Sequence, residues 1–292
     1  MSVKRFKSAA GEAVIRKSYD EILSAWPVTA ESTMVSTPFG DTHVLVAGPP
    51  GAPPLVLFHG VGDDAAAMWL YNIKELSARY RCYAVDTLGG PGRSAPGPGY
   101  AAGFTQAAWM GALWKGLGLS RACVAGVSYG GWLTIEAALS LGDLVDRAVI
   151  LAGGIGGGGT MLRMMRIMLP AMLVPTGAMV SRAMDKLAGP VADEDGLLLG
   201  HISLIFRHYK PQAMRFHRRR KISDEEIRSL APRTLWLLGA NDALADVPKS
   251  EERFRALGLP HQVIPDAWHA LNHNRPELVD SLILSFLETG KA

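Results

Sequence analysis

The chain has 292 residues, 48% apolar and 20% charged, which excludes a disordered or fibrous protein and leaves length for two small domains or one large α/β domain with an insertion. A net charge of +3 is too slight to argue for nucleic acid. Cys82 and Cys123 both lie in apolar runs, so neither a disulfide framework nor a zinc site is expected.

Near the N-terminus, Lys4, Arg5 and Lys7 are followed by Glu12, Arg16 and Asp20 with no apolar stretch between, so no secretory signal is read there. Val14, Ile15, Ile22, Leu23 and Trp26 recur at helical spacing and stop at Pro27, predicting an amphipathic helix. Residues 33–37 and 43–47 read as strands around the turn Phe39-Gly40-Asp41. Leu55-Val56-Leu57-Phe58 is wholly apolar, as in a strand buried on both faces, and runs into His59-Gly60-Val61-Gly62. A helix with Met68, Trp69, Ile73 and Leu76 on one face follows, then a strand at 82–85 and the loop from Asp86 to Ser94. Residues 104–117 read as a helix, 122–125 as a strand, the segment after Tyr129 as a helix and 148–151 as another strand.

From 155 to 231 this alternation stops, and eight of the twelve methionines fall there. It resumes with a strand at 234–238, a helix at 250–257, a strand at 261–264 and a helix at 276–287. Strands separated by helices predict a doubly wound, mostly parallel sheet of eight strands with right-handed crossovers. The expected division is a core in two parts, 1–154 and 232–292, with a helical cap, 155–231, between the sixth and seventh strands. The longest uncharged runs are broken by glycine and proline and are too short to span a membrane, so the expected location is the cytoplasm.

The stretch that organises the chain is Gly126-Val127-Ser128-Tyr129-Gly130-Gly131, between an apolar strand and a helix. G-x-S-x-G in that context is a nucleophile elbow, whose sharp turn requires residues without a Cβ two places before and after the serine. A serine hydroxyl needs a base, and the base needs a group that holds its tautomer. In open parallel sheets such groups sit after the carboxyl ends of strands. There the last two strands are followed by Gly239-Ala240-Asn241-Asp242 and by Ala267-Trp268-His269. Asp242 is therefore read as the orienting carboxylate and His269 as the general base. Asp246 and Asp266 compete as acids and His273 as base, while His201, His208, His217 and His261 read as surface or lid residues. The oxyanion donors are expected to be the N–H groups of Tyr129 and Val61.

Five motifs now stand in order: Phe58-His59-Gly60-Val61, Asp86-Thr87-Leu88-Gly89, the serine elbow, Gly239-Ala240-Asn241-Asp242 and Trp268-His269. In these the chain, from about residue 30 to 288, resembles the α/β-hydrolase family, in its esterase, lipase and C–C hydrolase branch. The resemblance implies an α/β-hydrolase fold and places Ser128, Asp242 and His269 at the family's triad positions. More loosely, Met68-Trp69, the 80–86 segment and the N-terminal helix resemble bacterial carboxylesterases active on aryl-propionate esters. Two departures stand out. Gly92 and Ser94 come one residue later than the family's Asp-x-x-Gly-x-Gly-x-Ser, and Trp268 replaces the usual glycine before the histidine, where it is expected to narrow the site. A serine at the nucleophile position argues against the family's dehalogenases and epoxide hydrolases.

The expected function is hydrolysis of a bulky apolar carboxylic ester through an acyl-enzyme, with no metal or organic cofactor. His59, Trp268, Met165, Met168 and Met172 are candidate pocket residues, methionine being suited to varied apolar ligands. His59 is read also as a structural residue bonding its loop. The glycines at 153, 154 and 156–159 are candidate cap hinges. The basic run of Arg215, Arg218, Arg219, Arg220 and Lys221 reads as a solvated face or a docking patch for an acidic partner. A homodimer stays open, and a carrier protein enters only for a thioesterase. The rivals are a thioesterase or C–C hydrolase with the same triad, and a non-catalytic binding protein on the same scaffold.

Overall fold

The computed structural model describes residues 3–153, 160–191, 193 and 195–291. Its strands are β1 (Glu31–Thr37), β2 (Gly40–Ala47), β3 (Pro54–Phe58), β4 (Arg81–Val85), β5 (Ala95–Pro96), β6 (Ala122–Val127), β7 (Val145–Leu151), β8 (Thr234–Gly239) and β9 (His261–Ile264). They form one sheet in the order β1-β2-β4-β3-β6-β7-β8-β9, with β5 paired to β2. β1, β2 and β5 pair antiparallel, and every pairing from β4 to β9 is parallel. All eight expected strands are present. The ninth, β5, is too short to leave a period-2 pattern.

The central strands follow from their composition. β6 and β8 are buried along their whole length, because helices cover both faces of the sheet. One apolar cluster joins Leu55, Leu57, Ala125 and Leu237 to the helices on one face; the other joins Val56, Phe58, Val124 and Trp236 to those on the opposite face. Trp69, Trp109, Trp114 and Trp236 are each almost fully buried; an aromatic of this kind removes about 150–250 Å² from water.

Between β7 and β8 lie helices Thr160–Leu173, Gly177–Leu187, Leu197–His208 and Asp224–Ser229. They have a small core of their own, in which Ala171, Val180 and Ala183 meet Met168, Met179 and Met184. They are also joined to the rest of the chain. Leu198 belongs to the cluster under the sheet, and Phe6 and Ile15 pack with Ile205, Tyr209 and Ala213. Phe6 bridges to Tyr209, Lys7 N–H donates to His208 O and Lys210 N–H donates to Arg5 O. Of the expected hinge glycines only Gly153 falls among the described residues.

One polar link between these layers is fully buried. His201, on the Leu197–His208 helix, meets Asp64 Oδ2 through Nε2 at 2.6 Å and Ser18 Oγ through Nδ1 at 3.0 Å. Burial alone lowers the His201 pKa, but the Asp64 carboxylate outweighs it and the net shift is upward. Of the two readings the sequence left for His201, surface or lid residue, burial removes the first: it sits inside, on a helix of the 155–231 insertion. Among the described residues no helix is long and apolar enough to cross a membrane.

Candidate active site

β6 ends at Val127, and the helix Tyr129–Ser140 begins one residue after Ser128. Ser128 sits at φ 57° and ψ −112°, a conformation that costs on the order of 1–3 kcal/mol for a residue with a Cβ. The flanking glycines make the turn sterically feasible. A Cβ at Gly126 would strike Gly130 O, and one at Gly130 would strike Phe58 O. The strain lifts the hydroxyl clear of the sheet edge.

His269, in the loop after β9, accepts or donates at Ser128 Oγ through Nε2 at 2.8 Å. Its Nδ1 lies 2.8 Å from Asp242 Oδ2, in the loop after β8. Asp242 is 5% exposed, and its Oδ1 accepts from the N–H groups of Leu244, at 2.8 Å, and Ala245, at 3.3 Å. The carboxylate is thereby locked, and the ring it holds carries its proton on Nδ1 and offers Nε2 as acceptor. The competing residues lie elsewhere. Asp246 caps the Val247–Leu257 helix and pairs with Lys249, Asp266 pairs with Arg275, and His273 Nε2 meets Met68 O at 2.8 Å.

On the other side of Ser128 lies the loop after β3. A Cβ built on Gly60 would stand 3.7 Å from Ser128 Cβ, so His59-Gly60-Val61 runs alongside the hydroxyl. Among the described residues, neither the Val61 nor the Tyr129 N–H has a partner in a loop or cap. The loop after β4 supports this arrangement from beneath. Asp86 accepts from the N–H groups of Ala65 and Arg93 and from His43 and Tyr19. A Cβ at Gly92 would strike its carboxylate, and Ser94 Oγ donates to Asp86 O at 2.5 Å. The late glycine and serine of this loop therefore still fold around Asp86. Burial raises the Asp86 pKa, but the His43 hydrogen bond and charge outweigh it and bring it down to about 2.

A cavity of about 390 Å³ opens beside Ser128, and Met68, Met164, Met168, Met184, Leu199 and Ile202 supply apolar parts of its wall. Of the pocket residues expected from sequence, Met168 lines it and four do not. Met165 and Met172 are half-exposed on the outer side of the Thr160–Leu173 helix, because the helix turns Met164 and Met168 inward instead. His59 is fully buried: its Nδ1–H donates to Gly60 O and its Nε2 accepts from Thr87 N–H, so it braces the loop as its structural reading had it. The Trp268 ring packs against Gly189, where a Cβ would strike it, on the far side of the cavity wall and not inside it. There it supports the end of the Gly177–Leu187 helix. Leu187 O accepts from His269 N–H at 3.0 Å, and Asn274 Nδ2 donates to Ala188 O and Pro190 O.

Sequence reasoning missed a partner of Tyr129. His217 Nε2–H donates to Leu88 O at 2.7 Å, leaving Nδ1 to accept from the Tyr129 hydroxyl at 2.6 Å. Burial pushes the His217 pKa down to about 4, which keeps this tautomer neutral. A lone histidine beside a basic run carries no signal for such a role.

The chain is similar to known proteins along most of its length. A family model described as the alpha/beta hydrolase family matches residues 55–281. Carboxylesterase YbfK of Bacillus subtilis (strain 168) is 32% identical over 293 residues, covering 97% of each chain. An uncharacterised carboxylesterase, nap, of the same strain is 30% identical, covering 94% of this chain and 93% of the other. The crystal structure of naproxen esterase (carboxylesterase NP) from Bacillus subtilis superposes with a TM-score of 0.84 at 26% identity, covering 96% of this chain and 99% of that one.

Proposed function

This chain belongs to the alpha/beta hydrolase family, and from that premise we propose that it is a serine carboxylesterase acting through Ser128, His269 and Asp242. The observation that carries the reading is the continuous chain from Ser128 Oγ through both ring nitrogens of His269 to a buried, backbone-locked Asp242. Binding alone requires no such relay.

His269 Nε2 takes the Ser128 proton as Oγ attacks the ester carbonyl. The Asp242 carboxylate stabilises the imidazolium that forms. The N–H groups of Val61 and Tyr129 receive the oxyanion, each such donor supplying about 3–4 kcal/mol of transition-state stabilisation. His269 returns the proton to the departing alkoxide and then activates water to release the acid. The apolar wall suits a bulky apolar ester, and the helices between β7 and β8 act as the cap that roofs it. Both cysteines are buried and unpaired, in keeping with the reducing cytoplasm.

A fluorophosphonate probe labels only an activated serine. It should label the protein at Ser128, and p-nitrophenyl hexanoate should be turned over. Ser128→Ala should abolish labelling and lower kcat on the order of 10⁵-fold or more, with an unchanged circular dichroism spectrum. Undiminished turnover would reject the assignment. Faster turnover of a thioester or a vinylogous diketone than of any ester would move the reading to a thioesterase or a C–C hydrolase.

A further inference from the structure

The polar groups on the cavity wall outside the triad share one property. The charged ones are carboxylates: Asp63, Asp185 and Asp193. No lysine or arginine lines the cavity among the described residues. Arg163 approaches from the cap, but its guanidinium faces Leu244 O and Asp246. Asp193 spends both oxygens on the N–H groups of Leu198 and Leu199, at 3.0 and 2.9 Å, and Asp185 stands exposed at the opening. Asp63 uses Oδ1 for Asp64 N–H at 2.8 Å, while its Oδ2 has no hydrogen-bond partner among the described residues.

His273 is the independent observation. It lines the cavity at only 7% exposure and takes no part in the triad. Its Nε2–H donates to Met68 O at 2.8 Å, which makes Nδ1 an acceptor, and among the described residues Nδ1 has no partner. The ring follows His269 by four residues and meets the same methionine whose Cε would lie 3.5 Å from a Cβ on Gly60, beside Ser128. Nδ1 is therefore a free acceptor on a mostly apolar wall, and a ligand that brings a donor to it gains a hydrogen bond that an apolar ligand cannot make.

We propose that His273 and Asp63 set substrate choice. The cavity selects esters whose buried portion carries a hydrogen-bond donor, a hydroxyl or an ammonium, on an apolar body, and rejects esters that carry a carboxylate there. The inference rests on the esterase reading above. Charge sign decides the rejection, because the carboxylates repel an anion in a space where, among the described residues, no lysine or arginine lines the wall to balance it.

Two matched ester series test this. One varies the far end of a six-carbon acyl chain on p-nitrophenol. The other varies the far end of a six-carbon alcohol esterified to hexanoate, with acid release followed by pH-stat. The ends are methyl, hydroxyl, ammonium and carboxylate. In at least one series kcat/KM should be highest for ammonium or hydroxyl, and the carboxylate should fall about tenfold or more below methyl. Asp63→Asn should raise the carboxylate-to-methyl ratio several-fold. His273→Leu should lower the hydroxyl-to-methyl ratio, and His273→Asn, which keeps an acceptor, should restore part of it. Each ratio is taken within one enzyme, so a general loss of folded protein cancels. A carboxylate within twofold of methyl in both series, or ratios unmoved by Asp63→Asn and His273→Leu, would overturn the proposal. Failure of every ester would instead sink the esterase reading.

Discussion

In the proposed mechanism Asp242 carries no reaction itself, yet its loss should be nearly as damaging as that of the base. In Asp242→Asn the amide can present an N–H to His269 Nδ1, which turns the ring to the tautomer whose Nε2 bears the proton and cannot accept from Ser128. A comparable change in a well-studied triad costs about 10⁴-fold in kcat, and a similar drop is expected here with KM little changed and thermal stability retained. Stopped turnover assays and a melting curve on the same preparation check both halves. The three side chains were legible from sequence because each follows the carboxyl end of a strand that can be found by its apolar run. The cavity wall was not. Met164 and Met168 face inward and Met165 and Met172 outward through the rotation of one helix about its axis, and in a helix apolar on most sides that rotation is set by what it packs against. His273 was seen as a spare base; its hydrogen bond to Met68, some 200 residues away in the chain, leaves no local pattern.

The helices between β7 and β8 reach the chemistry through backbone contacts, Leu187 O on His269 N–H above all, so their seating on the core should control activity. His201 is the pin. With Asp64 it makes a hydrogen-bonded pair closed to water on both sides, and His201→Phe would leave a buried carboxyl whose remaining partner among the described residues is Ala67 N–H. Breaking one side of such a pair costs about 3–5 kcal/mol. The wild-type link also has a pH dependence. Burial lowers the folded-state pKa of His201, but Asp64 outweighs it, with Asp63 and Asp86 adding to the rise, so the net shift is above the unfolded 6.5. Its stabilisation is therefore full below about pH 6.5 and is lost as pH rises through the raised value. Hydrogen exchange in the Leu197–His208 helix should speed up as pH is taken from 6 to 9, after correction for the intrinsic rate. In His201→Phe the helix should open readily at every pH, and equal protection factors in the wild type at both ends of that range would refute the link.

At the scale of the whole molecule, the parallel core was readable because strand and helix alternate with clear turn residues between them. The segment 5–7 was not, since Arg5, Phe6 and Lys7 are held by Gly90, Gly92, His208 and Tyr209, partners that no sequence period announces. The closing helix Pro276–Thr289 is fastened in the same long-range way, through Asp280. That carboxyl is 2% exposed; Oδ1 accepts from Asn72 Nδ2 at 2.8 Å, while Oδ2 and the neighbouring Asn272 Oδ1 have no partner among the described residues. Burial pushes its pKa up, the Asn72 hydrogen bond opposes this, Glu75 and Glu277 add to the rise, and the result is about 8. At neutral pH the folded chain therefore holds a proton here that the unfolded chain has released. The sign of the linkage follows: stability from this site is present below about pH 4 and is lost steadily as pH rises toward 8. Asp280→Asn fixes the side chain in its neutral form and keeps an oxygen for Asn72. The melting temperature of the wild type should fall between pH 5 and pH 9 by several degrees more than that of Asp280→Asn. The His201 contribution is common to both proteins and drops out of the difference. Parallel melting curves across that range would show that Asp280 is already ionised in the folded chain.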